Sequence, residues 1–157
     1  MRFLAITIVL FCVLQSHSQT DFNAFKEQYI DYRKSSLQDS ALLVARKMNK
    51  SALAEQGDTS YWYALSMRYL GNLHIIKGNY DSLVYFWEIS AELFKKNHPD
   101  HADYAMSLNS LGVLYSDISD YTKAEEYYLE ALRIFKKVLG EEHPDYATSL
   151  NNLGILY

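Results

Sequence analysis

The chain has 157 residues, of which 49% are hydrophobic and 22% charged, a balance that excludes a disordered polymer and suits one domain rather than two. A formal net charge of −4 and a pI near 5.7 argue against a nucleic-acid partner, because a phosphate backbone needs a basic face. Six glycines and two prolines are too few for a collagen-like, linker-like or turn-rich all-β chain.

In chain order, the first element is an address segment. Met1-Arg2 is a short positive start, Phe3 to Leu14 is almost wholly apolar, and Gln15 to Gln19 turns polar with small residues at Ser16 and Ser18. That layout predicts a cleavable signal peptide over residues 1–18 and an exported protein, periplasmic or extracellular. An apolar run of this length reaches only about 18 Å as a helix, short of the roughly 30 Å of a bilayer core, so no stable membrane span is expected. Cleavage removes Cys12, the sole cysteine, and with it disulfide and thiolate chemistry.

Residues 19–58 read as a degenerate leading helix pair. Phe22, Phe25, Tyr29 and Tyr32 form one apolar stripe; Leu42, Ala45, Met48 and Leu53 form another after Asp39-Ser40. Gly57-Asp58 closes the pair and Thr59-Ser60 is placed to cap the next helix.

From residue 59 the sequence repeats itself. Ser107-Leu108-Asn109-Ser110-Leu111-Gly112-Val113-Leu114-Tyr115 recurs 42 residues later as Ser149-Leu150-Asn151-Asn152-Leu153-Gly154-Ile155-Leu156-Tyr157. A looser copy, Ser66-Met67-Arg68-Tyr69-Leu70-Gly71-Asn72-Leu73-His74, stands 41 residues earlier. The periodicity divides residues 59–157 into units at about 60–103 and 104–145 and a partial unit at 146–157.

Each full unit reads as two helices. In the second, Leu108, Leu111, Tyr115 and Ile118 make one stripe, and Tyr121, Ala124, Tyr128, Ala131 and Phe135 the other. Asp120 and Asn79 are N-cap residues, Lys77-Gly78 and Lys136-Lys137 with Gly140 are stop signals, and Pro99 and Pro144 suit a first helical position. Gly71, Gly112 and Gly154 fall inside helices, where each costs about 1 kcal/mol relative to alanine. Close approach of the second helix is the expected compensation, with Ala124 facing Gly112.

With Leu108, Leu111, Gly112, Tyr115, Ala124, Tyr128 and Ala131 in place, the chain resembles the tetratricopeptide repeat family in its 42-residue, kinesin-light-chain-like variety. The earlier unit keeps Met67, Leu70, Gly71 and Trp87 but departs at His74, Leu83 and Ser90, which implies a wider helix gap at Leu83. The resemblance implies an all-α fold, a right-handed superhelical solenoid of antiparallel helix pairs. It also implies a protein or peptide ligand held in a concave groove lined by the first helix of each pair.

Carried over position by position, the groove residues implied are Arg68, Asn72 and Ile75, then Asn109, Val113 and Ser116, then Asn151, with Leu65, Met106, Thr148 and Ile155 beside them. The asparagines can donate to and accept from a peptide backbone, or else bond the neighbouring helices. Arg68 with Asn72 matches half of the carboxylate clamp of chaperone-binding relatives, but Thr148 and Asn152 stand where its other half is basic.

Catalytic signatures do not emerge from the residues. His98 and His101 among Asp100 and Asp103 look superficially like a metal site, yet His-Pro-Asp recurs at 143–145, which favours a role in starting a helix. His74 sits at a core aromatic position. A phosphate loop, a nucleophile elbow and a zincin motif are all lacking. A non-enzymatic scaffold without metal or cofactor is therefore expected.

Tyr157 corresponds to Tyr115, so the last helix is read as lacking its partner; Tyr146 to Tyr157 carries no charged residue, unlike a capping helix, and Leu153, Ile155 and Leu156 would leave apolar surface exposed. The expectation is that the chain is the N-terminal part of a longer protein or that a partner, including a second copy, covers this end. Among relatives, such repeats precede signalling domains or CHAT-type peptidases, which makes a repeat fragment of such a protein the alternative reading.

Overall fold

Residues 21–74 and 80–157 are described by the computed structural model. The signal peptide at 1–18, Ile75 and the Lys77-Gly78-Asn79 boundary lie outside the described residues. Seven helices and no strand occur among the described residues: α1 at 21–34, α2 at Gln38–Gln56, α3 at Tyr61–His74, α4 at Tyr80–Asn97, α5 at Ala102–Asp117, α6 at Tyr121–Val138 and α7 at Pro144–Ile155. Each of α2 to α7 packs on its sequence neighbours, and α5 also meets α7, so the chain forms an all-α solenoid of helix pairs.

The pairs form because their apolar stripes can be buried only against one another. Leu108, Leu111 and Tyr115 of α5 meet Ala124, Tyr128, Ala131 and Phe135 of α6, all buried. Two expected stripe members are not in this core. Tyr121 is 56% exposed and Ile118 55%, because one begins α6 and the other lies beyond the last turn of α5. In α2 the buried set is Ala41, Val44, Ala45, Met48 and Ala52, and Leu53 faces solvent. The α1 stripe packs on α3 through aromatic stacking, Phe22 on Trp62 at 5.3 Å and Tyr29 on Tyr69 at 4.1 Å.

The helix glycines do mark close approach, but an aromatic ring, not Ala124, fills the space. A Cβ on Gly112 would lie 2.5 Å from the Tyr128 ring, and one on Gly71 would overlap the Trp87 indole. Leu83, where a wider gap was expected, is fully buried. At Gly154 nothing lies within 4 Å.

Histidine starts two of the helices. His101 Nδ1 accepts the amide of Asp103 at 3.1 Å, and His143 Nδ1 accepts that of Asp145 at 3.2 Å. Pro144 opens α7, whereas Pro99 lies in the turn before α5, where Ala102 holds the equivalent of Pro144. Ser60 and Asp120 cap α3 and α6 by accepting from the amides of Tyr63 and Lys123.

Candidate functional site

The first helices of successive pairs, α3, α5 and α7, lie in series, and buried polar residues join them. Ser66, Ser107 and Ser149 hold the same position in each unit, and all three are fully buried. Their small size lets neighbouring helices approach, and their hydroxyls find acceptors. Ser66 donates to the Tyr63 carbonyl at 2.7 Å, Ser107 to the Asp103 carbonyl at 3.0 Å and Ser149 to Asn109 Oδ1 at 2.9 Å.

Asp103 is the centre of the joint between α3 and α5. Its carboxylate accepts from Arg68 Nη2 at 2.5 Å and from the Tyr61 hydroxyl at 2.6 Å. Arg68 and Asp103 are 6% and 7% exposed, so this is a buried ion pair. Burial, and then the Asp103 charge, push the Tyr61 hydroxyl well above the usual phenol range, so it remains a donor. His101 Nδ1 lies 3.5 Å from the same carboxylate but already accepts an amide proton, so it adds no hydrogen bond to Asp103.

A cavity of about 230 Å³ opens beside this joint. Arg68 of α3, Met106, Asn109 and Ser110 of α5, and Asp145, Thr148 and Ser149 of α7 line it, over Phe135 of α6. Its volume is below the ~300–1,000 Å³ usual for small-molecule and cofactor sites. No group of three or more His, Cys, Asp or Glu gathers to hold a metal among the described residues. His98 and His101 instead meet the Tyr61 ring edge-on, and His74 stacks on Phe86 at 5.3 Å.

The residues expected in a groove take three different roles. Arg68 walls the cavity, but its charge is already matched by Asp103. Asn72 accepts from Trp87 Nε1 at 3.1 Å, which fixes the indole that covers Gly71. Asn109 Oδ1 accepts from Ser149 and from Asn152 Nδ2 at 3.2 Å, joining α5 to α7. Val113 and Asn151 face solvent, and Ser116 is half-buried. Val113 follows Met106 and Asn109 by seven and four residues, and Asn151 follows Thr148 by three, so both continue the cavity-lining stripes. Tyr61 and Asp145 were not singled out by sequence, and Asp103 was weighed only beside His98 and His101; the aspartate shared by the two later units, at 103 and 145, was the available signal.

The tetratricopeptide repeat family model matches residues 62–137 and 115–157, together more than half of the chain. The chain belongs to the tetratricopeptide repeat family. Members of this family typically bind proteins or peptides and are generally non-enzymatic scaffolds. Among solved structures, the TPR chain is similar to BtubC (BKLC) from P. vanneervenii, with a TM-score of 0.77 and 25% identity over 92% of this chain and 59% of that one. The TPR-like repeats of a Podosopora anserina kinesin light chain match in fold, with a TM-score of 0.73 and 17% identity over 87% of this chain and 65% of that one. This TPR chain thus spans about three fifths of the length of the structures it matches. No match was found among curated proteins.

Proposed function

We propose that the protein is an exported scaffold that binds a peptide or protein segment along the face built by α3, α5 and α7. The observation that carries this reading is the cavity between the three first helices, continued by exposed Val113 and Asn151. Rigid, stacked helices hold these groups in place before a ligand arrives, so less ordering entropy is lost on association. Catalysis, a metal, a cofactor and nucleic acid have no part in this reading. Export rests on the Met1 to Ser18 pattern, and amino-terminal sequencing of the secreted form tests it by a start at Gln19.

Two substitutions test the face. Val113→Trp on α5 fills the stripe, whereas Leu129→Trp alters an equally accessible position on α6 (Leu129 is 51% exposed). Binding of a captured partner peptide lost with the first and kept with the second supports the reading; the reverse pattern overturns it.

A second reading has its own observation. Leu150 and Ile155 on α7 and Tyr157 just after it are 49%, 78% and 85% exposed, and Gly154 has an open face. This is the surface for self-association, or for a further domain in the signalling or peptidase alternative. Light scattering at two concentrations tests the self-association arm, which requires the mass to rise and Ile155→Lys to abolish the rise.

A further inference from the structure

The solenoid contains a template for its own ligand. Position by position, Arg68 of α3 corresponds to Asn109 of α5, Tyr61 to Ala102, and Asp103 to Asp145 of α7. In the first joint, Arg68 and Tyr61 both donate to Asp103, whose side chain is 10% exposed. In the second joint, neither donor has a counterpart, because Asn109 is short and Ala102 is apolar. The Asp145 side chain is 42% exposed, and among the described residues the one basic side chain within 4 Å of it is His143, 3.6 Å away through an Nδ1 that already accepts an amide proton.

The space left by the shorter side chain is the cavity itself. Asn109 and Asp145 both line it, and its volume of about 230 Å³ suits a single long side chain. Arg68 borders the same space with its charge neutralised by Asp103, so Asp145 is the carboxylate there that no arginine or lysine of the described residues pairs.

Resting on the groove reading above, the geometry points to an arginine side chain of the bound polypeptide as the occupant of this cavity, its guanidinium on Asp145 as Arg68 is on Asp103. A planar fork matches a carboxylate with two parallel bonds, which a lysine ammonium does not.

The test uses the whole chain, isotope-labelled, titrated with blocked arginine (N-acetyl-arginine amide), the matching citrulline compound and the matching lysine compound. Arginine is expected to shift the amides of Asn109, Asp145, Thr148 and Ser149 saturably; citrulline, equal in length but neutral, is not, and lysine binds more weakly. Asp145→Asn should weaken arginine about tenfold or more, as for a lost charge-assisted bond.

Asn109→Arg supplies the missing side chain from within. It should abolish arginine binding and raise the thermal midpoint by about 2–4 °C, a rise that Asp145→Asn removes. Ser149, deprived of Asn109 Oδ1, can donate to the Asp145 carbonyl as Ser107 does to that of Asp103.

Citrulline binding as well as arginine, or arginine binding unchanged in Asp145→Asn, would overturn the assignment. If a peptide still engages Val113 in that case, the groove reading survives alone. If blocked arginine binds at Asp145 while no polypeptide engages the Val113 stripe, the pocket stands and the groove reading falls.

Discussion

The two ends of the repeat array answer the same sequence motif in different ways. At α3 and α5 the motif is closed: Trp87 covers Gly71, Tyr128 covers Gly112, and Asp103 is held by Arg68 and Tyr61. At α7 it is open: Gly154 meets nothing, Leu150 and Ile155 face solvent, and Asp145 lacks both donors. A repeat unit is therefore defined less by its own residues than by what its neighbours bring to it. Closed joints set the stability of the solenoid, and open ones are where it can meet something else.

The largest effect is expected from opening the closed joint. Arg68→Ala leaves Asp103 charged and buried, which should cost about 3–5 kcal/mol in denaturant unfolding. Asn151→Ala, at the equivalent position of the exposed unit, should change stability by no more than about 0.5 kcal/mol. Equal effects would erase the distinction between the two ends.

The glycines sharpen the same contrast. Gly112→Ala drives a methyl into the Tyr128 ring and should destabilise by about 1–3 kcal/mol. Gly154→Ala meets open space and should stabilise α7 by up to about 1 kcal/mol through helix propensity. Thermal melts of the two variants check the opposite signs.

Alkaline pH should loosen the closed region. Burial pushes the Tyr69 and Tyr128 hydroxyls up to about 12 from 10.0, so their neutral forms favour the folded state. That stability is whole below about pH 10 and is lost as pH rises towards 12, to be followed by phenolate absorbance alongside helical circular dichroism. Tyr128→Phe should reduce the steepness of the transition. Ionisation complete at pH 10 with the helices intact would contradict burial of these rings.

The smallest effect lies at the turn between α5 and α6. Ser119 has a φ of 65°, left-handed geometry that glycine adopts without penalty. Ser119→Gly should gain up to about 1 kcal/mol, read as a higher denaturation midpoint.

The helices and their pairing were legible because hydrophobic spacing and the glycine repeat are local signals. Less legible was what fills a space between helices. Gly112 announced a close approach, yet the filler is the long Tyr128 ring, since a ring can lie flat across a bare backbone where the short Ala124 does not reach. Pro99 misled because one proline signal serves both a turn and a helix start, and only the register with Ala102 and Pro144 separates them. Arg68 read as a ligand-facing charge because its partner Asp103 lies 35 residues away and on another helix. Asn72 and Asn109 were open to either role, and the bonds they make go to neighbouring helices. Val113 and Asn151, with Thr148 and Ile155 beside them, are the candidates on described residues that lie open on the surface.

A light-activated crosslinker tests the binding face most directly, placed in turn at Val113, Asn151 and Leu129 and exposed to the partner in its native compartment. The account predicts that the same polypeptide is trapped from positions 113 and 151 and not from 129. Trapping from Leu129 with none from Val113 or Asn151 would contradict it.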